Sequence, residues 1–307
     1  MSAKNKVIPD FICIGYVLFM VTAKTKPPVL IAAFWMVGAL VSFMAMAISG
    51  RELSSELSTF EILFFRSLIG LLIISVVLTR KGWGQIRTTR PALQVVRNLA
   101  HYVGQFGWFY GIGLLPLAQV FAIEFTIPIW AAFLAPFLLG ERITMTKVTT
   151  IVIGFIGILV ILRPGMVPLN VATLAVLMAA VGYAISYLMT KMLTATDTPL
   201  AILFYMTVVQ LPLGLLPSIF DWVTPSVDMI PWLLLVGFTA LSAHYCISRA
   251  FALADALVVI PIDFFRLPLV ALVGFSLYDE AVDAFVFLGA FIIVGGNLIG
   301  VVKAAKE

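Results

Sequence analysis

Five ionisable side chains stand inside otherwise apolar runs of this chain: Glu61, Arg66, Glu124, Asp263 and Arg266. On insertion scales a charge at the centre of an apolar helix costs about 2.5–3.5 kcal/mol, so each one needs a partner, an aqueous cavity or a ligand. Asp263 and Arg266 are three residues apart, an interval that puts them on one helical face and lets them pair. By itself that is a private salt bridge that lets both residues exist in an apolar run. Together with Glu124 it is a centre that offers both signs of charge to a polar solute, and spacing leaves the two readings open. Glu61 and Arg66 are five apart, a poor helical pairing interval, so Arg66 needs a backbone carbonyl, a distant carboxylate or an anionic group of a solute.

A second group is aromatic. His101, Gln105 and Trp108 fall on one helical face, with Tyr102, Phe109 and Tyr110 beside them. Such a stripe serves packing equally well as it serves stacking against a flat or amphipathic metabolite. His101 and His244 are the only two histidines, and each stands in the same tripeptide: Ala100-His101-Tyr102 and Ala243-His244-Tyr245. Ile62-Leu63-Phe64-Phe65 returns as Ile202-Leu203-Phe204-Tyr205, and Pro128 returns as Pro268. Matches in the same order at nearly one offset mark a duplicated unit. The 140-residue offset sets Glu124 opposite Phe264, next to Asp263, so the two carboxylates are near-equivalents in the two halves.

The elements that must carry these residues are membrane helices. The 307 residues are 62% hydrophobic and 11% charged, with a mean hydropathy of +1.13, far from the mix of a soluble domain. The apolar runs have helix-spanning length and lack the alternation of a barrel strand. Ten spans are expected, near 30–50, 59–80, 93–113, 116–139, 146–162, 169–192, 198–220, 229–251, 255–278 and 283–303. The fold class is therefore an all-α integral membrane protein, ten transmembrane helices forming two inverted five-helix repeats, because an odd repeat enters the bilayer from opposite sides. Residues 30–165 form the first repeat and 166–307 the second, with Arg163-Pro164-Gly165-Met166-Val167-Pro168 as the connection. Residues 1–29 are a separate cytoplasmic or interfacial segment, the apolar stretch 11–21 being about half a span.

Basic residues fix the expected orientation. Alternate connections place Arg80, Lys81, Arg87, Arg90, Arg97, Arg142, Lys147, Lys191, Arg249 and both terminal clusters on one side, and only Arg51 and Arg163 on the other. Both termini are then cytoplasmic in a cell inner (plasma) membrane. The pI of about 9.1 reflects this distribution and not a nucleic-acid surface. Cys13 and Cys246 lack metal or redox spacing and read as small hydrophobes. Glycine pairs 107/111 and 296/300 are explained by close helix packing in a monomer, with a dimer left open.

The chain resembles the drug/metabolite transporter superfamily, in its ten-span branch of paired EamA-type domains. The resemblance covers roughly residues 30–303. It rests on Phe65-Arg66, on Leu115-Pro116-Leu117-Ala118 with Pro128 following, on Leu139-Gly140-Glu141-Arg142, and on the glycine-rich fifth span closing at Arg163-Pro164. The second half carries a weaker copy in Ala254-Asp255-Ala256, Pro268 and Asp279-Glu280, with Met206 where the first half has Arg66. The resemblance implies a carrier of metabolites.

Inverted repeats likewise point to a secondary carrier with its solute near the midplane. The expected partner is a small polar or zwitterionic metabolite such as an amino acid or vitamin, with proton coupling open. Glu124, Asp263 and Arg266 form the expected floor of the site, and Arg66, His101, Tyr102, Gln105, Trp108, His244 and Tyr245 its surroundings. Competing classes are an intramembrane enzyme and a channel. No HExxH, GxSxG, P-loop or filter motif supports either, so neither catalytic residues, metal nor cofactor are expected. Glu141 and Glu280, at the ends of spans four and nine, are expected to cap neighbouring helices or latch a gate.

Overall fold

A computed structural model describes residues 27–140, 144–164, 170–253, 262–263 and 265–304. The expectations that concern Cys13, the stretch 11–21, Glu141, the 165–168 connection and Ala254-Asp255-Ala256 lie outside those residues. What is described is helical throughout. The helices are α1 (Pro27–Leu53), α2 (Thr59–Lys81), α3 (Pro91–Leu114), α4 (Leu117–Glu124), α5 (Ile127–Leu139), α6 (Met145–Leu162), α7 (Val171–Leu193), α8 (Pro199–Ser218), α9 (Ile230–Leu253), α10 (Arg266–Tyr278) and α11 (Ala284–Ala304). Helices α4 and α5 together make the fourth span. Seven segments among the described residues are long and apolar enough to cross a bilayer, and α10 and part of α11 are shorter apolar helices.

Side-chain distribution is that of a protein dissolved in lipid. Phe137 is 72% exposed, and Phe34, Leu72, Phe238 and Phe291 also face outward, whereas Arg66, Arg97, Glu124 and Arg266 are buried. Lipid accepts apolar surface freely, so what the fold hides is its polar groups.

Helix pairing follows the duplication. The most extensive contacts are α1 with α9, α3 with α7, α6 with α11 and α2 with α8. If spans one to five correspond to spans six to ten, the first two contacts exchange with each other and the last two map onto themselves, as a twofold relation requires. Gly157 of α6 and Gly289 of α11 show the same reciprocity. A Cβ on Gly157 would meet the Gly289 carbonyl at 2.7 Å and Ile293 Cγ1 at 2.5 Å; one on Gly289 would meet the Gly157 carbonyl at 2.6 Å and Ile161 Cγ1 at 2.5 Å.

Small residues also set the α3–α7 crossing that carries the histidine face. A Cβ on Gly107 would fall 2.2 Å from the Ala175 carbonyl oxygen, and one on Gly111 2.2 Å from Val176 Cγ2. Gly296 and Gly300 meet Ile153 and Thr150 of α6 in the same manner. Both glycine pairs are thus used within one chain.

Candidate functional site

Two helix breaks position the charged centre. Helix α4 stops at Glu124, the chain turns through Phe125 and Thr126, and α5 begins at Ile127. Pro128 has no N–H, so the Glu124 carbonyl loses the donor a continuous helix would give it. The Ile129 N–H turns instead to the Thr126 carbonyl at 2.9 Å. The Phe125 carbonyl so released accepts from Asn297 Nδ2 of α11 at 3.2 Å. In the second half α10 begins at Arg266, after a turn at Phe265 and just ahead of Pro268. Equivalent prolines therefore place Glu124 and Arg266 where helix geometry is interrupted.

Arg266 joins the two halves. One terminal nitrogen donates to Asp263 Oδ2 at 2.7 Å, and the other lies 3.2 Å from Glu124 Oε1. The second oxygen of Glu124 accepts from Trp108 Nε1 of α3 at 2.8 Å. Three aromatic rings surround the guanidinium, with centroids at 4.6 Å for Phe43, 5.6 Å for Phe121 and 5.4 Å for Phe125. Burial strengthens these contacts, since Arg266 is 5% exposed and little water screens them. With both carboxylates ionised, the group carries one net negative charge. Asp263 is the most open member at 26% side-chain exposure, and its Oδ1 and the Arg266 Nε have no hydrogen-bond partner among the described residues.

A second polar layer lies on α3. His101 Nδ1 is 2.9 Å from Gln210 Nε2 of α8, and its ring packs against Tyr183 of α7 and His244 of α9, with centroids 5.5 and 5.8 Å away. Gly104 makes the Tyr183 contact possible, because a Cβ there would lie 2.8 Å from the tyrosine ring. Arg97 donates to Asn98 Oδ1 at 2.7 Å and Thr190 Oγ1 at 3.0 Å. Arg66 is buried, makes no hydrogen bond or ion pair among the described residues, and has an unpartnered Nε. Gln105 is buried between these layers, with Oε1 also unpartnered.

The remaining expected residues stand apart. Tyr102 donates to the Leu213 carbonyl at 2.9 Å and so ties α3 to α8. Tyr245 is 53% exposed and packs edge-on to Trp35. Glu61 is a helix cap: it closes a reciprocal box with Ser58 and accepts from the Val223 N–H at 2.6 Å. Its burial is satisfied without Arg66.

Glu280 ties one end of the bundle. It accepts from the Leu117 N–H at the start of α4 at 2.8 Å and pairs with Arg51 at 2.8 Å, while Arg51 also donates to the Leu115 carbonyl. Asp279 adopts φ 52°, and this turn brings Glu280 back over Gly274. At the other end Asp197 accepts from Gln94 at 2.7 Å and Thr196 at 2.8 Å, and Arg90 donates to the Met192 carbonyl. Burial alone would raise the Asp197 carboxyl, but hydrogen bonds from Thr88, Gln94 and Thr196 and the charge of Arg90 outweigh it and hold the group below the ordinary value.

Phe43, Phe121 and Phe125 belong to the site but give no signal in sequence, because their type is uninformative in an apolar run. Gln210, Asn98 and Asn297 are further polar members whose sequence did carry a signal. Each is an amide side chain inside a span, where an unsatisfied polar group is costly.

The chain belongs to the EamA-like transporter family, whose pattern matches residues 30–163. It is 26% identical over 273 residues to the S-adenosylmethionine uptake transporter of Rickettsia prowazekii, covering 89% of this chain and 93% of that one. It is 32% identical to the riboflavin transporter of Brucella anthropi, over 77% of this chain and 86% of that one. The pseudopaline exporter of Pseudomonas aeruginosa is 27% identical, over 90% and 96%. A crystal structure 18% identical in sequence superposes over 90% of this chain and 98% of its own with a TM-score of 0.63, a likeness of fold alone. The protein is a multi-pass membrane transporter of small metabolites and not an enzyme.

Proposed function

We propose that the chain is a secondary carrier of the plasma membrane that takes up a polar, ring-bearing zwitterion or cation by alternating access, with S-adenosylmethionine as the leading substrate. The observation that supports this reading is the Glu124–Arg266–Asp263 group, a net anionic centre walled by Phe43, Phe121, Phe125 and Trp108. Two carboxylates and several ring faces are the chemistry that accepts an organic cation. A sulfonium or ammonium group entering here shares the carboxylates with Arg266, which is freed to move with its half of the bundle. The similarity to S-adenosylmethionine transporters over nearly the whole chain fits this chemistry.

Cargo in this reading lies between the halves, near the breaks, and rocking of one half against the other alternates access. One of the two carboxylates takes up the coupling proton when cargo leaves. Both termini face the cytoplasm.

Purified protein in liposomes, given radiolabelled S-adenosylmethionine, tests the reading. Saturable uptake accelerated by the same compound on the far side, and little inhibited by riboflavin, is expected. Uptake that neither saturates nor shows acceleration rules out a carrier for this cargo, and a preference for riboflavin moves the assignment to a neutral ring substrate.

A further inference from the structure

We propose that Arg66, facing the His101 and His244 layer, is an anion subsite that holds the carboxylate of the cargo while the Glu124–Asp263 centre holds its cationic end. This deepens the reading above and rests on it for the identity of the cargo. Arg66 is 4% exposed, and a buried cation normally lies against a carboxylate or an array of carbonyls. Here none is present among the described residues, and its Nε is sealed without an acceptor.

The sequence explains why. Helices α3, α7, α8 and α9 contain no Asp or Glu, and the carboxylate on α2 itself, Glu61, is already taken by Ser58 and the Val223 N–H. The second charge that acts on Arg66, that of Arg97, is also positive. Arg97 lies within electrostatic reach of it, and both arginines are within reach of His101 and His244. Tyr183, stacked on Tyr187 and edge-on to His101, feels both Arg66 and Glu124.

Arg66 is seven residues into α2 and Glu124 seven residues into α4, so each is about 10 Å from the start of its helix. A zwitterion, which carries a carboxylate and a positive centre on one molecule, matches a pair of poles of opposite sign. Neutral riboflavin has no carboxylate for Arg66, and the subsite therefore separates the two substrate classes found among the relatives.

The test compares S-adenosylmethionine with its decarboxylated analogue on the purified full chain, together with Arg66→Met and Arg66→Lys. Wild type should bind the carboxylated compound about tenfold or more tightly, the scale of one charge-assisted contact. Arg66→Met should bind the two alike, and Arg66→Lys should keep part of the preference. A second readout is the melting temperature without ligand. Removing an uncompensated buried cation should leave it unchanged or raise it, whereas removing a structural clamp lowers it. A preference that survives in Arg66→Met, or a lowered melting temperature with equal loss of both compounds, overturns the subsite. If wild type binds neither compound, the assignment of S-adenosylmethionine fails. The melting temperature of Arg66→Met then decides the subsite alone, a fall overturning it and constancy or a rise supporting it.

Discussion

The rings of His101 and His244 lie with centroids 5.8 Å apart, so two residues from identical tripeptides 143 positions apart in sequence meet between the halves of the bundle. Their neighbours do not follow them. Tyr102 turns to the Leu213 carbonyl, and Tyr245 turns outward to Trp35. The duplication thus builds a shared axis, and divergence between the copies supplies the asymmetric chemistry beside it. Arg266 is the clearest product of that divergence, since Thr126 occupies its place in the first half.

Gly274 controls the tie made by Glu280. A Cβ at this position would lie 2.3 Å from Glu280 Oε2, closer than the carboxylate can tolerate. Gly274→Ala should therefore displace Glu280 from Arg51 and from the Leu117 N–H. Loss of these two contacts, each worth about 1.5–3 kcal/mol as charged hydrogen bonds, should favour opening at this end. Faster thiol labelling at Ser54→Cys in the Gly274→Ala background is the expected outcome, and an unchanged rate would show that Glu280 is no latch.

The α3–α7 crossing should be intolerant of added volume. Gly107→Ala places its methyl 2.2 Å from the Ala175 carbonyl, so the helices must separate, at a cost of about 1–3 kcal/mol. A lowered melting temperature in detergent checks this, together with weaker S-adenosylmethionine binding as Trp108 on the same helix shifts away from Glu124.

Asp197 gives the stability an acid-sensitive component. Its folded carboxyl titrates below the ordinary value despite burial, because three hydrogen bonds and Arg90 favour the charged form. The stabilisation is complete above the unfolded value of about 4 and is lost as pH falls through the lower folded value. Asp197→Ala should cost about 1–3 kcal/mol at neutral pH by stranding Gln94, and should flatten the loss of stability as pH falls below the unfolded value of about 4. Thermal unfolding against pH measures both effects, and coincident wild-type and variant curves would contradict them.

Orientation follows from the basic residues. Cysteines introduced singly as Asp228→Cys and Arg87→Cys, with Cys13 and Cys246 replaced by alanine, should differ in intact cells. Position 228 should react with an impermeant maleimide at once, and position 87 only after lysis. The reverse pattern would invert the assignment.

The span pattern, the broken fourth helix and the charged centre were legible because each breaks a rule that lipid imposes. Polar atoms need partners, and prolines remove them, so Glu124, Arg266, Pro128 and Pro268 are conspicuous in sequence. Glu61 was equally conspicuous and served only as a cap, since a sequence does not show that Ser58 and Val223 are within reach of it. The ring cage around Arg266 was hidden for the opposite reason. Phe43, Phe121 and Phe125 look like the lipid-facing phenylalanines Phe34 and Phe137, and only the fold separates inward from outward.

If the buried charges bind cargo and a coupling ion, neutralising them must separate exchange from accumulation. The most direct test is transport by Glu124→Gln and Asp263→Asn in liposomes loaded with S-adenosylmethionine, under a proton gradient and without one. At least one variant should still exchange labelled for unlabelled compound but no longer accumulate it uphill, because exchange needs no net proton movement. Normal accumulation by both variants, with normal binding by Arg266→Ala, would contradict it and leave Glu124, Asp263 and Arg266 as a salt bridge that only supports the fold.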